Sequence, residues 1–384
     1  MRIIVTGLIG QFPFGGAIWD YLQYCTGFRS LGHEVLYLED SGIWPYDPVR
    51  ETISEDCRYQ VESLSKIMDR FGLSHQWIYR NAADGAFFGA GETVARNWLE
   101  SAEVLVTVAS PSWFEGLAVN VGRRIYIDGD PLFTQVGLLQ KPNDSFSQRL
   151  RDHDLHFSFG LNLGSEDCGV PDTGINWRPT VQPIDLTYWT PWPAPPSSEW
   201  ELTTIMNWRS YDSLQWQGQS YGQKDVEFLK FIDLPRQSPL ALTVAMGRGK
   251  GDRRPTEQLE RAGWRLVEPD HHLPDEQSYR EFIGQSAGEW SIAKEGYVKA
   301  RTGWFSGRTA CYLASGRPAI VQDTGWSSHL EPGPGLFAFS NLNQCLEAME
   351  ELRRNPESHR KAARERAELV FDARAVCRSL LECG

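Results

Sequence analysis

No apolar run in this 384-residue chain reaches the roughly 18–20 residues of a membrane span. Mean hydropathy is −0.41, so a membrane-spanning protein is not expected. Cysteine is scarce and unpatterned. The seven residues, at 25, 57, 168, 311, 345, 377 and 383, form no C-x-x-C pair and no Cys/His spacing. That excludes a disulfide framework and gives no sign of a zinc site. Basic charge is in deficit too. A net charge of −12 and a pI near 5.2 argue against nucleic acid as the main partner, because binding phosphate backbones needs clustered Lys and Arg. The N-terminus lacks the shape of a signal peptide: Met1–Gly7 starts as a strand and runs into a glycine loop, so a cytoplasmic protein is expected. Internal repeats and low-complexity tracts are also missing. Tryptophan is the residue in excess, with 15 copies. Most are expected in cores, although indole faces also suit the apolar faces of sugar rings.

The remaining pattern is α/β, twice over. Residues 2–6 read as a buried strand, followed by the loop Gly7–Gly16, a helix over Ala17–Leu31 and a second strand over His33–Leu38. Helices are expected over 50–71 and 92–102, and strands over Val104–Val108 and Arg124–Ile127. Seven prolines between 171 and 196 mark a linker. The tryptophans inside it suggest a segment packed on a surface. A second series of strands and helices follows, from Leu202–Met206 to a helix at Asn343–Arg353. Pro356 breaks that helix, and Glu357–Leu381 reads as one long final helix with interleaved charges. The length suits two Rossmann-like domains. We expect an N-terminal domain with linker over 1–195, a C-terminal domain over 196–356 and a closing helix over 357–384, returning to the first domain.

The most informative stretch is Gly303–Gly325. It reads as a loop, a helix over Gly307–Ala314, a Gly-x-Pro stop, a buried strand at Ala319–Val321 and a polar turn. A helix start offers free N–H groups and a positive dipole end, which favour phosphate. Ser306, Gly307, Arg308 and Thr309 form that start, and the Arg308 guanidinium can fork onto a diphosphate. Asp323, Thr324 and Gly325 follow the strand, at the edge where open α/β sheets bind ligands. There they can hold ligand hydroxyls or simply cap the next helix. By the same edge rule Trp208 and Arg209, Gly247, Arg248 and Lys250, and Lys294 and Glu295 face one cleft. Their cations either bind phosphate or are solvated. His271 and His272 read as loop residues. In the first half, Gly15 and Gly16 let backbone approach a ligand closely or form a tight turn. Asp128 and Asp130 end a strand before Pro131, and Asp20 lies one turn into the first helix. These three are the candidates for a general base or for acceptor contact.

Three places resemble GT-B glycosyltransferases of the family-4 type. Pro13-Phe14-Gly15-Gly16 before a helix, then Gly32-His33-Glu34-Val35, is similar to that group's N-terminal P-x-G-G loop and GHEV-like strand. Tyr312-Leu313-Ala314-Ser315-Gly316-Arg317-Pro318 is similar to its E-A-M-A-x-G-x-P segment. The linker and closing helix are the third place. The group's paired glutamates, eight residues apart, fall on Gly303 and Cys311 and are both missing. DGDP (128–131), NWRP (176–179) and GWFSGR (303–308) look like features of a less-described bacterial branch. The resemblance implies a donor site in the second domain and an acceptor site in the first. It also implies transfer of a sugar from a nucleotide-diphosphate sugar to a hydroxyl, with no cofactor and no metal, although Asp128-Gly129-Asp130 has the D-x-D form of a metal site. Glu295 is a candidate stand-in for the missing glutamates.

Two alternatives remain open from the sequence. A sugar-nucleotide 2-epimerase shares this architecture, and a non-catalytic sugar-nucleotide-binding subunit would tolerate the missing glutamates. A third, an NAD-binding protein, has Glu39 and Asp40 at a fitting strand end but lacks G-x-G-x-x-G.

Overall fold

The computed structural model describes residues 1–47, 50, 52–110, 112–197, 200–249 and 251–383. Two sheets organise them. The first takes its strands from residues 2–179, in the spatial order Trp177–Pro179, Leu155–Ser158, Arg123–Asp128, Val104–Val108, Arg2–Thr6, Glu34–Glu39, Trp77–Arg80, Phe87–Gly89. All pairs are parallel except the last. The second is six parallel strands from residues 201–339, in the order Arg265–Val267, Ala241–Gly247, Glu201–Asn207, Gly288–Ser291, Ala319–Gln322, Leu336–Phe339. Central strands such as Val104–Val108 are apolar and buried along their length. That is what a parallel sheet covered by helices on both faces requires. The result is two facing Rossmann-like domains.

The first helix, Gly15–Ser30, joins them. Gly15 has no room for a side chain: a Cβ there would lie 2.4 Å from Tyr279 Cβ and 2.6 Å from the Asp275 carbonyl. The glycine therefore lets helix Gly15–Ser30 meet the second domain's helix Glu276–Gln285 at backbone distance. Trp19 Nε1 donates to the Glu276 carbonyl at 3.0 Å across the same seam. The linker is structured, as its aromatics suggested. Trp177–Pro179 extends the edge of the first sheet, and Trp189 is fully buried against Trp19, with ring centroids 5.0 Å apart.

The expected single closing helix is two: Pro356–Val370 and Ala373–Glu382. Between them Phe371 and Ala373 pair with Ile184 of the linker, at 2.6 and 2.9 Å. Asp372 accepts from Arg374 N at 2.9 Å to start the second helix. That helix returns to the first domain, where Gly27 sits against Cys377 and Ala373. Among the described residues, no helix is long and apolar enough to cross a membrane.

Candidate functional site

The cleft between the domains gathers charge of both signs. The helix expected at Gly307–Ala314 forms with those bounds, and no side chain caps its first turn. A Cβ on Gly307 would overlap Gln182 of the linker, so the helix start lies on the domain boundary. Thr309 is buried and its hydroxyl is unpartnered.

Arg308 does not point freely from the helix mouth. Its Nε donates to Glu289 Oε1 at 2.6 Å, its Nη2 to Ser291 Oγ at 2.7 Å, and its Nη1 to the Ile205 carbonyl at 2.5 Å. Glu289 is completely buried. A buried carboxylate needs a cation, and this one draws the guanidinium onto the carboxyl ends of two neighbouring strands. Burial works most strongly against the Arg308 charge, but Glu289, Tyr279 and Tyr312 together more than offset it and the arginine is held above its ordinary pKa.

Lys224 was not among the residues singled out from the sequence. It opens the short helix Lys224–Leu229 and is half-buried. Burial, then Arg308, then Lys294 push its pKa well down, against a weaker pull from Glu289. Among the described residues it has no ion-pair partner, and its ammonium lies 6.0 Å from the Trp304 ring centre. Lys294 sits nearby in a box of rings, 4.3 Å from Tyr211 and 5.0 Å from Phe133. Its Nζ donates to both oxygens of Asp130 at 2.9 and 3.0 Å. The Tyr211 and Tyr297 hydroxyls also donate to Asp130. Asp130 of the first domain is thereby clamped by three groups of the second.

The three acids proposed as catalytic separate clearly. Asp128 is fully buried. It accepts from Thr134 Oγ1 (2.6 Å), Gln135 Nε2 (3.0 Å), Ser158 Oγ (2.8 Å) and Asp130 N (2.9 Å). It braces the turn and the next helix and has no access to a substrate, so its assignment as a base is corrected. Asp128 and Asp130 face different partners and do not act as a pair. Asp20 differs from both. It keeps solvent contact although much protein surrounds it. That crowding raises its pKa from 3.8 to about 7, with Arg308 pulling the other way.

The remaining expected residues divide between site and scaffold. Trp208 is buried against Phe228 in the second core and is a packing residue. Arg209 is paired with Asp225 at 3.4 Å. Gly247 ends its strand beside Asn207. Arg248 is exposed, and Lys250 lies outside the described residues. Glu295 accepts from Gly222 N and so braces the chain just before Lys224. Asp323 accepts from Gly325 N at 2.9 Å and from the Ser327 hydroxyl at 2.9 Å; it caps the following turn. Thr324 is buried and donates to the Trp304 carbonyl at 2.7 Å. Gly325 takes a left-handed φ of 94°. Gly16 lies 3.3 Å from Tyr279, measured from the place its Cβ would occupy. His271 and His272 are exposed. Glu39 is buried and accepts from Gly10 N and Gln11 N, both at 2.7 Å, and Asp40 is paired with Arg80 at 3.0 Å. Neither acid is free to hold a ribose, which removes the NAD reading. Cys311, at the second glutamate position, is buried.

No family model and no curated protein sequence matches the chain. Solved structures do. An alpha-glucosyltransferase in complex with UDP aligns over 100% of this chain and 99% of its own, at 13% identity and a TM-score of 0.56. A sucrose-phosphate synthase from Thermosynechococcus elongatus aligns over 100% and 98%, at 11% identity and 0.55. AviGT4, a glycosyltransferase involved in avilamycin A biosynthesis, aligns over 100% and 96%, at 11% identity and 0.54. The fold is GT-B. In GT-B terms, the cationic wall of Lys224, Lys294 and Arg308 belongs to the second domain and Asp20 to the first.

Proposed function

We propose that this GT-B protein is a glycosyltransferase that moves a sugar from a nucleotide-diphosphate sugar to an acceptor hydroxyl without a metal ion or cofactor. One observation carries the reading: Lys224 has no ion-pair partner among the described residues and is crowded by Arg308 and Lys294, and Arg308 also acts on Asp20 of the first domain. Three clustered cations with two local counter-charges, Glu289 on Arg308 and Asp130 on Lys294, leave Lys224 to favour an anion, and a diphosphate supplies two phosphate groups. Arg308, locked by Glu289, contributes a fixed positive field. Lys224 supplies the movable ammonium, and the uncapped start of Gly307–Ala314 supplies N–H donors. These groups neutralise the departing diphosphate as its charge develops. Asp20 then accepts the proton of the attacking hydroxyl or orients it. The net charge of −12 favours acceptors other than nucleic acid.

The test is a thermal-shift and calorimetric screen with UDP, GDP and dTDP, followed by incubation with the matching donor sugars. One nucleotide should raise the melting temperature, and the donor should release nucleoside diphosphate in the presence of acceptor. Epimer formation without acceptor would assign the chain to epimerases. Binding without turnover would make it a binding subunit. A chain that binds none of the three nucleotides would end the proposal.

A further inference from the structure

A crevice of about 290 Å³ opens on the seam between the domains, and neither Asp20 nor any residue of the cationic wall lines it. Both domains and the linker build it. Trp19 stands on the helix Gly15–Ser30, Arg70 and Phe71 close the helix Arg58–Arg70, Tyr188 belongs to the linker, and Glu276 and Arg280 stand on the helix Glu276–Gln285. The three rings pack together. Ring centroids are 5.4 Å apart for Trp19 and Phe71, 4.8 Å for Phe71 and Tyr188, and 6.1 Å for Trp19 and Tyr188. Glu276 is only 3% exposed. Its Oε1 accepts from Arg70 across the seam, and its Oε2 has no hydrogen-bond partner. Arg280 Nε is buried and unpartnered too. Arg280 follows Glu276 by four residues, a spacing at which opposite charges on a helix usually pair. Here the carboxylate turns to Arg70 of the other domain instead. The neighbouring acid, Asp275, is occupied in capping its own helix, accepting from Ser278 N at 2.9 Å.

Buried polar atoms normally have partners, so two unpartnered ones on a single crevice point to a ligand. A carboxylate oxygen only accepts, so Glu276 Oε2 needs a hydroxyl or amine donor. A guanidinium only donates, and its planar fork suits phosphate or carboxylate. Two arginines against one lining acid favour an anion. The rings decide what else the ligand carries. Their planes meet at 87°, 58° and 55°. No two are parallel, so they make no slot for a flat base. They offer faces and edges to a saturated ring whose C–H bonds point several ways. Ligand pockets usually begin near ~300 Å³, so this crevice suits one small ring and is too small for a nucleotide sugar. We propose that it is a second ligand site, which binds a monosaccharide carrying one anionic group, phosphate or carboxylate. The sugar hydroxyls donate to Glu276, the anionic group meets Arg280 and Arg70, and the apolar ring face lies on the aromatic side chains. The site does not depend on reading the cleft as a glycosyl-transfer site. A ligand held there spans both domains and the linker, so it stabilises their arrangement.

The experiment uses the full chain in calorimetry and thermal shift, with glucose 6-phosphate, glucuronate, glucose and inorganic phosphate as probes. One of the two anionic sugars should bind and raise the melting temperature, and which one does so identifies the anionic group. Glucose and inorganic phosphate should each bind ~10-fold or more weakly, because each keeps only part of the contacts. Arg280→Gln should weaken binding of the anionic sugar by ~10-fold or more, the worth of a charge-assisted hydrogen bond. The same variant should keep its own melting temperature, because Arg280 Nε bonds nothing in the free protein, and its nucleotide affinity, because Arg280 is not part of the cationic wall. The proposal is overturned if neither anionic sugar binds, or if Arg280→Gln leaves their affinity unchanged. It is also overturned if inorganic phosphate binds as tightly as the sugars, which would reduce the crevice to an anion-binding patch. A wild type that binds no nucleotide would undo the transferase reading and leave this site standing, a separate outcome.

Discussion

The two walls of the cleft solve opposite problems. The second domain's wall concentrates cations and holds two of them in fixed partnerships: Arg308 on Glu289, and Lys294 on Asp130 inside an aromatic box. The first domain's wall offers acids and commits all but one. Asp128 is buried in hydrogen bonds and Asp130 is clamped, which leaves Asp20. Among the described residues, each wall thus keeps one of these groups without an ion-pair partner, Lys224 on one side and Asp20 on the other. Each is displaced toward its uncharged form, first by the loss of surrounding water. A group held away from its preferred charge state in a cleft is a candidate for chemistry. A group locked in an ion pair is scaffold.

The sharpest way to break that contrast is Asp20→Asn. If Asp20 handles the acceptor proton, transfer should fall by ~10²–10⁴ with nucleotide affinity unchanged, in a rate assay beside calorimetry. The same residue predicts a pH dependence. Its folded pKa, about 7, lies above the ordinary 3.8, so between those values the folded protein holds a proton that the unfolded chain releases. Stability contributed by this group is full below 3.8 and falls as pH rises toward about 7. In the folded protein the carboxylate form that acts as a base appears as pH passes about 7. Asp20→Asn should flatten that stability slope, which chemical denaturation at several pH values would measure.

Arg308→Ala tests the locked side. Its loss strands Glu289 in the core, and breaking a buried pair typically costs ~3–5 kcal/mol. We expect a large fall in unfolding free energy. Arg308→Ala at near wild-type stability would contradict the scaffold role. Lys224→Met should do the reverse: little change in melting temperature, and nucleotide-diphosphate binding weaker by about 1.5–3 kcal/mol, the worth of a hydrogen bond to a charged group. Equal nucleotide affinity in Lys224→Met and wild type would remove the main support for the donor site.

How much of this was legible in the sequence depends on how local the signal is. The helix Gly307–Ala314 was readable to the residue because a Gly-x-Pro stop and a buried strand follow it directly. The orientation of Arg308 was not, although a clue was present. Glu289 lies in a strand buried throughout, and an acid there must find a cation. Lys224 was missed for a different reason. A hairpin, Leu214–Trp216 with Gln219–Tyr221, is inserted between the strand Glu201–Asn207 and the lysine. The rule that ligands sit just past strand ends therefore pointed to Arg209, which the structure pairs with Asp225. Trp208 failed similarly: adjacency to a strand end does not distinguish a side chain facing the cleft from one facing the core. The break at Phe371–Asp372 was hidden because Ile184, its partner, is nearly two hundred positions away in the chain.

The smallest expected effect separates a binding residue from a cap. Asp323 sits at the strand end where hydroxyl binding was expected, beside Thr324 and the loop that carries Trp304. Its oxygens, however, are occupied by Gly325 N and by the amide and hydroxyl of Ser327. The sugar-binding and capping roles compete for the same lone pairs, and the geometry favours the cap. Asp323→Ala should therefore cost about 1 kcal/mol of stability, as for a lost N-cap, with donor affinity close to wild type. If Asp323 instead exchanges its turn partners for donor hydroxyls, donor-sugar affinity should fall while affinity for the bare nucleotide stays. Calorimetry with the nucleotide and with its sugar, on the same variant, decides between the two. A selective loss for the sugar would move Asp323 from the scaffold to the second domain's working wall, as its one carboxylate facing substrate.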